Sequence, residues 1–412
     1  MFALKEVILS ITNRCNLNCT MCDIPQQQMP ELTTEDWKQV IKDVSSFGVQ
    51  TIVFSGGEPL LRKDILELIA CAKNNNLSAC LTSNGVLVDE KASYELSRAG
   101  VDVVNISIEG TPDTHDYLRG NDTFAKAIYA LKALSRENIE CTIATMVSKY
   151  NYKDLPYIFE LAKKHRVTTV RLQPFSKIFV TEPLKEKDFF IKEQDIDSLK
   201  QIIEEVIALS RRYHIATNPL SYLRKIPYYL SGKNKSPRGG CNALWTSCPV
   251  NSRGDIFPCW VLAQQDTVIG NLKEKRFFEI WDSKEHNHIR RCIVDNACSG
   301  CMMSCYDEVY GQDRGFEHWR RKVQRIKNAS LYANIINKLV QRAKGEAFQL
   351  KSRYQFYRSY RGPIKKVFNR IVKNTKRNVL RENNNYKNDT ENVLRELEDV
   401  KKLLQKERDC YL

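Results

Sequence analysis

Short strand-like runs alternate with segments of helical period over residues 7–173, and this alternation restricts the fold more than any other feature. Strands rich in β-branched residues are predicted at 7–12, 51–55, 78–82, 101–108, 140–147 and 168–172. Helices are predicted between them, at 34–47, 62–75, 88–98, 123–136 and 152–165. Such alternation is typical of βαβ units around a parallel sheet. Six strands are too few to close an eight-stranded barrel, so we expect an α/β fold with a partial (β/α)6 TIM-like barrel. Its active site should lie at the carboxyl ends of the strands.

Cysteine is the second constraint, because ten of the 14 cysteines fall in two groups. The first residues include Lys5 and Glu6 and lack the apolar core of a signal peptide, and no run of 18 apolar residues could form a transmembrane helix. We therefore expect a cytoplasmic protein. In that compartment, grouped cysteines bind metal or act in catalysis more often than they form disulfides.

The first group follows the first strand directly and has the spacing C-x3-C-x2-C, formed by Cys15, Cys19 and Cys22. Three thiolates can hold three corners of a [4Fe–4S] cluster and leave one iron open to another ligand. A structural zinc site or a chance spacing are the alternatives. The second strand ends in Gly-Gly-Glu-Pro at 56–59, where paired glycines allow a close backbone approach and Glu58 could accept a hydrogen bond from an ammonium group.

These motifs, in this order and on these elements, make residues 5–175 resemble the radical S-adenosylmethionine superfamily. The resemblance implies that Cys15, Cys19 and Cys22 hold a [4Fe–4S] cluster whose open iron binds the amine and carboxylate of S-adenosylmethionine. Reductive cleavage of that cofactor would give a 5′-deoxyadenosyl radical, which abstracts a hydrogen atom from the substrate. An electron donor such as flavodoxin or ferredoxin is therefore an expected partner.

The resemblance also implies a set of residues that contact the cofactor around the strand ends: Gly56, Gly57, Glu58, Pro59, Asn84, Ser107 and Arg119. For Arg119 a surface ion pair is an equal alternative. Two positions depart from the family pattern. Met21 stands where many members have an aromatic residue, and Glu109 stands where relatives have aspartate in an S-x-D-G motif.

The second group of cysteines lies in residues 241–306, which resemble the SPASM/Twitch auxiliary-cluster module. The pattern contains G-x4-C at 254–259 and C-x2-C-x3-C at 298–305. A full two-cluster pattern would contain a C-x5-C step that is missing here, so we favour one auxiliary [4Fe–4S] cluster over two. The predicted ligands are Cys241, Cys259, Cys298 and Cys301, with Cys248 and Cys305 as the rival pair. A zinc ribbon is the alternative for the whole module.

The basic charge is confined to one stretch near the end of the chain. Residues 320–387 contain 20 Lys and Arg against 2 Asp and Glu, whereas the chain as a whole has a net charge of +15. This distribution excludes a uniformly basic nucleic-acid-binding domain. Residues 346–387 interleave aromatic with basic side chains, which suits a solvated helical extension, an anionic membrane surface that would make the protein peripheral, or a nucleic acid. Residues 390–406 show a short heptad-like seam that predicts self-association.

These features predict four regions: the barrel core at 1–185, a helical segment and linker at 186–240, the cysteine-rich α+β module at 241–306, and a basic helical extension at 307–412. We expect an oxidative or bond-forming step on a small biosynthetic intermediate, such as a sugar, a cyclitol or a lipid-linked compound. One alternative is a maturase that crosslinks or oxidises a ribosomally made peptide, although only 14 residues precede Cys15. Another is a nucleic-acid-modifying or -binding protein. Arg171 and Gln173, near the end of the sixth strand, are candidates for contact with the substrate.

Overall fold

The computed structural model describes residues 4–27, 29–176, 188–232, 243–260, 267–292 and 301–303. These residues all belong to one compact unit, 2–309. The predicted extension at 307–412, with its basic stretch and its seam, lies outside the described residues. So do most of the predicted linker and three of the predicted or rival ligands: Cys241, Cys298 and Cys305.

The described strands form one open sheet in the order β6-β5-β4-β3-β2-β1-β7-β8-β9. Their bounds are β1 Glu6–Thr12, β2 Thr51–Gly56, β3 Ser78–Ser83, β4 Val103–Ser107, β5 Glu140–Val147, β6 Thr169–Pro174, β7 Ser247–Val250, β8 Asp255–Ile256 and β9 Gly270–Asn271. Strands β1 to β6 are parallel neighbours in sequence order. Alternate residues of β1, such as Val7, Leu9 and Ile11, are fully buried. The predicted open, partial barrel is thereby confirmed.

The helices between the strands cover the sheet. Their bounds are α1 Thr34–Ser46, α2 Ile65–Asn74, α3 Glu90–Ala99, α4 Pro112–Arg119, α5 Thr123–Arg136, α6 Leu155–Lys164, α7 Ile196–Tyr213, α8 Leu220–Leu223, α9 Ile226–Leu230, α10 Ala243–Thr246, α11 Phe277–Trp281 and α12 Lys284–Cys292. Short 3-10 turns occur at Ile24–Gln26, Pro59–Leu61, Tyr152–Asp154 and Glu193–Asp195. None of the described helices is long and apolar enough to cross a membrane.

Local sequence explains where these helices start and stop. Helix α1 begins at a capping box, in which Thr33 and Asp36 each bond to the other's backbone N–H. It then buries Trp37, Val40 and Ile41 against the sheet. Helix α3 ends at Gly100, which has φ +87° and so takes the left-handed conformation that closes a helix.

Strand β7 continues the barrel sheet, although the sequence places it in a separate module. It pairs in parallel with β1, with Val7 opposite Cys248, and it then turns into the antiparallel pair β8 and β9. Residues 301–303 contact the other edge of the barrel. The Tyr222 hydroxyl donates to the Met302 carbonyl at 2.7 Å, and the Gln173 amide of β6 lies 3.3 Å from the Met303 sulfur. The described part of the module therefore contacts both edges of the six-stranded sheet.

Candidate active site

The loop that carries Cys15, Cys19 and Cys22 is attached to the barrel at several points. The amides of Gly57 and Glu58 donate to the carbonyls of Thr12 and Arg14, at 2.7 and 2.8 Å. Farther along the loop, the Thr20 amide donates to the Leu118 carbonyl at 2.8 Å. Strand β2 thus fixes the start of the loop, and the end of α4 fixes its middle.

The two glycines of the Gly-Gly-Glu-Pro motif are required by this attachment. A Cβ atom on Gly56 would lie 2.2 Å from the Thr12 carbonyl oxygen, and one on Gly57 would lie 2.2 Å from that of Arg14. Gly56 also has φ +140°, which L side chains rarely adopt. The close approach that the sequence predicts toward a ligand is therefore also a close approach to the backbone of the cysteine loop.

A cavity of about 200 Å³ lies over the carboxyl ends of β2 to β5. Eight of the residues predicted from sequence line it: Cys15, Cys19, Cys22, Gly56, Gly57, Asn84, Ser107 and Arg119. The wall also contains Thr82 and Met146, which were not predicted from the sequence. Both lie near the carboxyl ends of parallel strands, which is the signal that could have found them.

Met21 also lines this cavity. A thioether can pack against a flat ring, so this side chain is compatible with a nucleoside ligand. Asn84 also binds the cysteine loop. Its side-chain amide donates to the Asn16 side chain at 2.8 Å and lies 3.8 Å from the Cys15 sulfur.

Glu58 and Pro59 are buried beside the cavity, and neither is part of its lining. The Glu58 carboxylate accepts hydrogen bonds from the Ser83 hydroxyl and the Asn84 backbone N–H, at 3.1 and 2.8 Å. It also accepts from the Leu60 amide at 3.2 Å. Burial raises the pKa of Glu58. In the structure this residue joins the ends of β2 and β3, and its contact with a cofactor ammonium group stays a prediction.

Arg119 forms an ion pair, but this pair is buried and not on the surface. Its side chain is 15% exposed, and that of its partner Glu109 is 0% exposed. Nε and Nη2 of Arg119 donate to one carboxylate oxygen of Glu109, at 2.8 and 2.6 Å. Because Arg119 also lines the cavity, its charge faces the three thiols.

Burial favours the protonated form of the three thiols of the first group. Burial raises the pKa of the Cys19 thiol to about 11, against the opposing effect of the Arg119 guanidinium. Burial also raises the pKa of Cys15 and Cys22. Iron binds the thiolate, so the binding of a cluster by these thiols would release protons. Among the described residues, no group of three or more His, Cys, Asp or Glu side chains is arranged to hold a single metal ion.

Three cysteines of the second group have described side chains, and these are buried: Cys248, Cys259 and Cys301. Cys248 is fully buried within β7, and Cys259 lies just after β8. Cys301 precedes the Met302 carbonyl that Tyr222 binds. Gln173 connects this region with the cavity, because its partner on the adjacent strand β5 is Met146, which lines the cavity. Arg171 lies opposite Ala144 on the same pair of strands.

Comparisons with known families agree with this geometry. Residues 9–162 match the radical SAM superfamily, and residues 241–306 match an iron–sulfur cluster-binding domain of the SPASM type. The chain is similar to Fe-coproporphyrin III synthase of Methanosarcina barkeri, with 29% identity over 74% of this chain and 84% of that protein. It is also similar to PqqA peptide cyclase of Gluconobacter oxydans, with 27% identity over 67% of this chain and 76% of that protein.

Solved structures show the same fold. SuiB of Streptococcus suis, bound to its precursor peptide SuiA, has a TM-score of 0.57 and 18% identity, and the match covers 70% of this chain and 67% of that one. At this identity the likeness is one of fold. It supports the partial barrel with an added module that the described strands and helices form.

Proposed function

Because this chain belongs to the radical S-adenosylmethionine superfamily and carries a SPASM-type cluster-binding domain, we propose that it oxidises or crosslinks a ribosomally made peptide. One observation carries this proposal. The similarity to a peptide cyclase extends over 283 residues, well beyond the 154-residue barrel match at 9–162. The comparisons therefore favour the peptide over the sugar, cyclitol or lipid-linked intermediate.

The two matched families define the cofactors: a [4Fe–4S] cluster with S-adenosylmethionine, and an auxiliary iron–sulfur cluster. We assign the first cluster to Cys15, Cys19 and Cys22, and the auxiliary cluster to Cys241, Cys259, Cys298 and Cys301. When bound, these groups supply hydrogen-atom abstraction and an acceptor for the electron that an oxidation must remove. The two hydrogens that the peptide loses would leave as one hydrogen atom and one proton.

The residues of this chain then bind and orient. Gly56 and Gly57 line the cavity with backbone atoms alone, which leaves room for a ligand. The Arg119 guanidinium would bind the carboxylate of S-adenosylmethionine. Gln173 lies between the cavity wall at Met146 and the module at Met303, where it would contact a substrate that reaches from one cofactor to the other.

A pair of exposed aromatic rings, on α4 and after β5, would offer contact area to a peptide. The rings of Tyr117 and Tyr150 lie 5.6 Å apart and are 61% and 39% exposed. Tyr117 precedes Arg119 by two residues on α4, and Tyr150 follows β5. Exposed tyrosines offer apolar contact area and a polar tip to an extended chain.

A tetrapyrrole is the second candidate substrate. Two relatives at 29% identity are named Fe-coproporphyrin III synthase and AdoMet-dependent heme synthase, and each match covers 73–74% of this chain.

The test is an anaerobic reaction of reconstituted protein with S-adenosylmethionine and reduced flavodoxin or ferredoxin. One arm contains short peptides encoded beside the gene, and a parallel arm contains iron-coproporphyrin. Mass spectrometry of the peptide should show loss of two hydrogen atoms, with 5′-deoxyadenosine formed in step.

The control is the Cys15→Ala/Cys19→Ala/Cys22→Ala variant, which should form neither product. A changed macrocycle beside unchanged peptides would replace the peptide proposal with the tetrapyrrole. Release of 5′-deoxyadenosine with every substrate unchanged would contradict both.

A further inference from the structure

Glu109 lies just after β4, is fully buried, and is not part of the cavity lining. Its carboxylate nevertheless holds two residues that are. One oxygen accepts both hydrogen bonds from Arg119, and the other accepts from the Met146 amide at 2.8 Å. A single carboxylate behind the wall thus joins α4 to β5.

The backbone of Glu109 is fixed as well. Its amide donates to Nδ1 of His115 at 3.2 Å, and its carbonyl accepts from the Asn151 side chain at 2.7 Å. Burial lowers the pKa of His115 to about 3, so this imidazole stays neutral and keeps Nδ1 as an acceptor. Glu109 is therefore held by hydrogen bonds at both ends, which fixes the direction in which its carboxylate points.

Arg119 has a donor left over in this arrangement. Nε and Nη2 are bound by Glu109, while Nη1 has no hydrogen-bond partner within the described part of the chain. Because the side chain lines the cavity, this third nitrogen can serve an anion there. The length of the Glu109 side chain sets how far the guanidinium extends over the cysteine loop.

We infer that Glu109 is a positioning residue for S-adenosylmethionine, which fixes the Arg119 guanidinium so that it binds the carboxylate of the cofactor. The inference rests on the proposed contact between Arg119 and the cofactor, and it does not depend on the identity of the substrate. The glutamate side chain reaches an arginine on α4 and an amide of β5 together.

A double-mutant cycle tests this inference on anaerobically reconstituted protein. The variants are Glu109→Gln, Arg119→Gln and the double variant, and the measurement is the Kd for S-adenosylmethionine by equilibrium dialysis. Glu109→Gln should raise that Kd at least about 10-fold, as expected when a buried charge pair is broken. In the Arg119→Gln background the same change should leave the Kd unaltered, because the group through which Glu109 acts is then gone.

Two further measurements separate positioning from folding. Iron content and Tm report whether each variant is assembled, and EPR of the reduced cluster titrated with cofactor reports binding directly. Asp43→Asn is the matched control, because Asp43 is also a buried carboxylate paired with an arginine but lies outside the cavity lining. Its Kd should equal that of the wild type. Glu109→Asp keeps the charge and should recover part of the affinity.

The result that overturns the inference is an unchanged Kd in Glu109→Gln, or the same loss of affinity with and without Arg119. If Glu109→Gln alone fails to fold, the double variant removes both buried charges and avoids the unpaired one. The comparison of its Kd with that of Arg119→Gln then decides: equal values support the inference and unequal values reject it.

Discussion

The two groups of cysteines are built in opposite ways. Cys15, Cys19 and Cys22 lie within eight residues, in one loop whose backbone is fixed by β2 and by the end of α4. Cys248, Cys259 and Cys301 come from segments up to 53 residues apart, which contact β1 and β6, the two outer strands of the six-stranded parallel part of the sheet. The first group is therefore assembled by local structure, whereas the second depends on the completed fold.

Because of this difference, substitutions in the two groups should have different effects on the enzyme. Damage to the first group should abolish cofactor cleavage while the module still folds. Damage to the second should leave cofactor cleavage intact and remove the oxidised product.

The largest effect is expected from Cys19→Ala. Loss of one of three thiolate ligands should remove about four of about eight irons and abolish formation of 5′-deoxyadenosine, because the open iron is lost with its cluster. Iron analysis and anaerobic product assay measure both. Cys141→Ala, at a buried cysteine of β5 outside the cavity, is the control and should keep both iron and activity. Full activity in Cys19→Ala would show that these thiols hold no cluster.

Gly57→Ala should destabilise the protein by about 3 kcal/mol or more, because its Cβ would lie 2.2 Å from a backbone oxygen of the cysteine loop. Urea unfolding and iron content measure the effect. Gly48→Ala is the matched control: nothing lies within 4 Å of its Cβ, so only its φ of +89° costs about 1 kcal/mol. Equal losses for the two variants would mean that the glycine pair does not fix the loop.

On the other side of the contrast, Cys259→Ala should lower the iron content from about eight to about four and keep cofactor cleavage. Cys248→Ala should keep all of its iron and cost about 1–2 kcal/mol of stability, because this side chain is fully buried in the middle of β7. Anaerobic iron analysis beside urea unfolding distinguishes the two. Loss of iron in Cys248→Ala with none in Cys259→Ala would exchange their roles.

The smallest effect concerns the contact between α1 and α11. Burial alone raises the pKa of Asp43, but its ion pair with Arg276 lowers that pKa below its ordinary value overall. The stabilisation is then present at neutral pH and is lost as pH falls below about 4. Asp43→Asn should cost about 1 kcal/mol at pH 7, a modest value because Arg276 is 54% exposed.

Urea unfolding at pH 7 and at pH 3.5 checks this prediction, since the difference from wild type should shrink at the lower pH. Asp197→Asn, in a pair whose carboxylate is 85% exposed, should change the free energy of unfolding by less than about 0.5 kcal/mol. A difference for Asp43→Asn that grows on acidification would contradict the assigned direction.

Strong local periodicity made most of the barrel predictable. The helix predicted at 123–136 has those bounds, and β5 does too at 140–147. The loop with Cys15, Cys19 and Cys22 was predictable because metal ligation needs a short, fixed spacing of its ligands. Helix α4 was missed because it buries only His115 and Leu118, which is too little apolar surface to show a period.

Two further features could not be read from the sequence, because tertiary contacts decide them. Strand β7 has only four residues and contains Pro249, which normally argues against an interior strand. Pairing with β1 overrides that preference. The contacts of Glu109 were also unpredictable from the sequence, because Arg119 and Met146 reach its carboxylate only when α4 and β5 are folded in place.

The pairing of β1 with β7 has a consequence for the order of events during synthesis. About 240 residues separate Glu6 from Ser247, its partner across the two strands. At roughly 5–20 residues per second, a ribosome needs on the order of 10–50 s to supply that partner. Until then β1 has one unpaired edge, with amides that can bind another nascent chain. We expect chaperones to associate with this edge until residue 250 has left the ribosome.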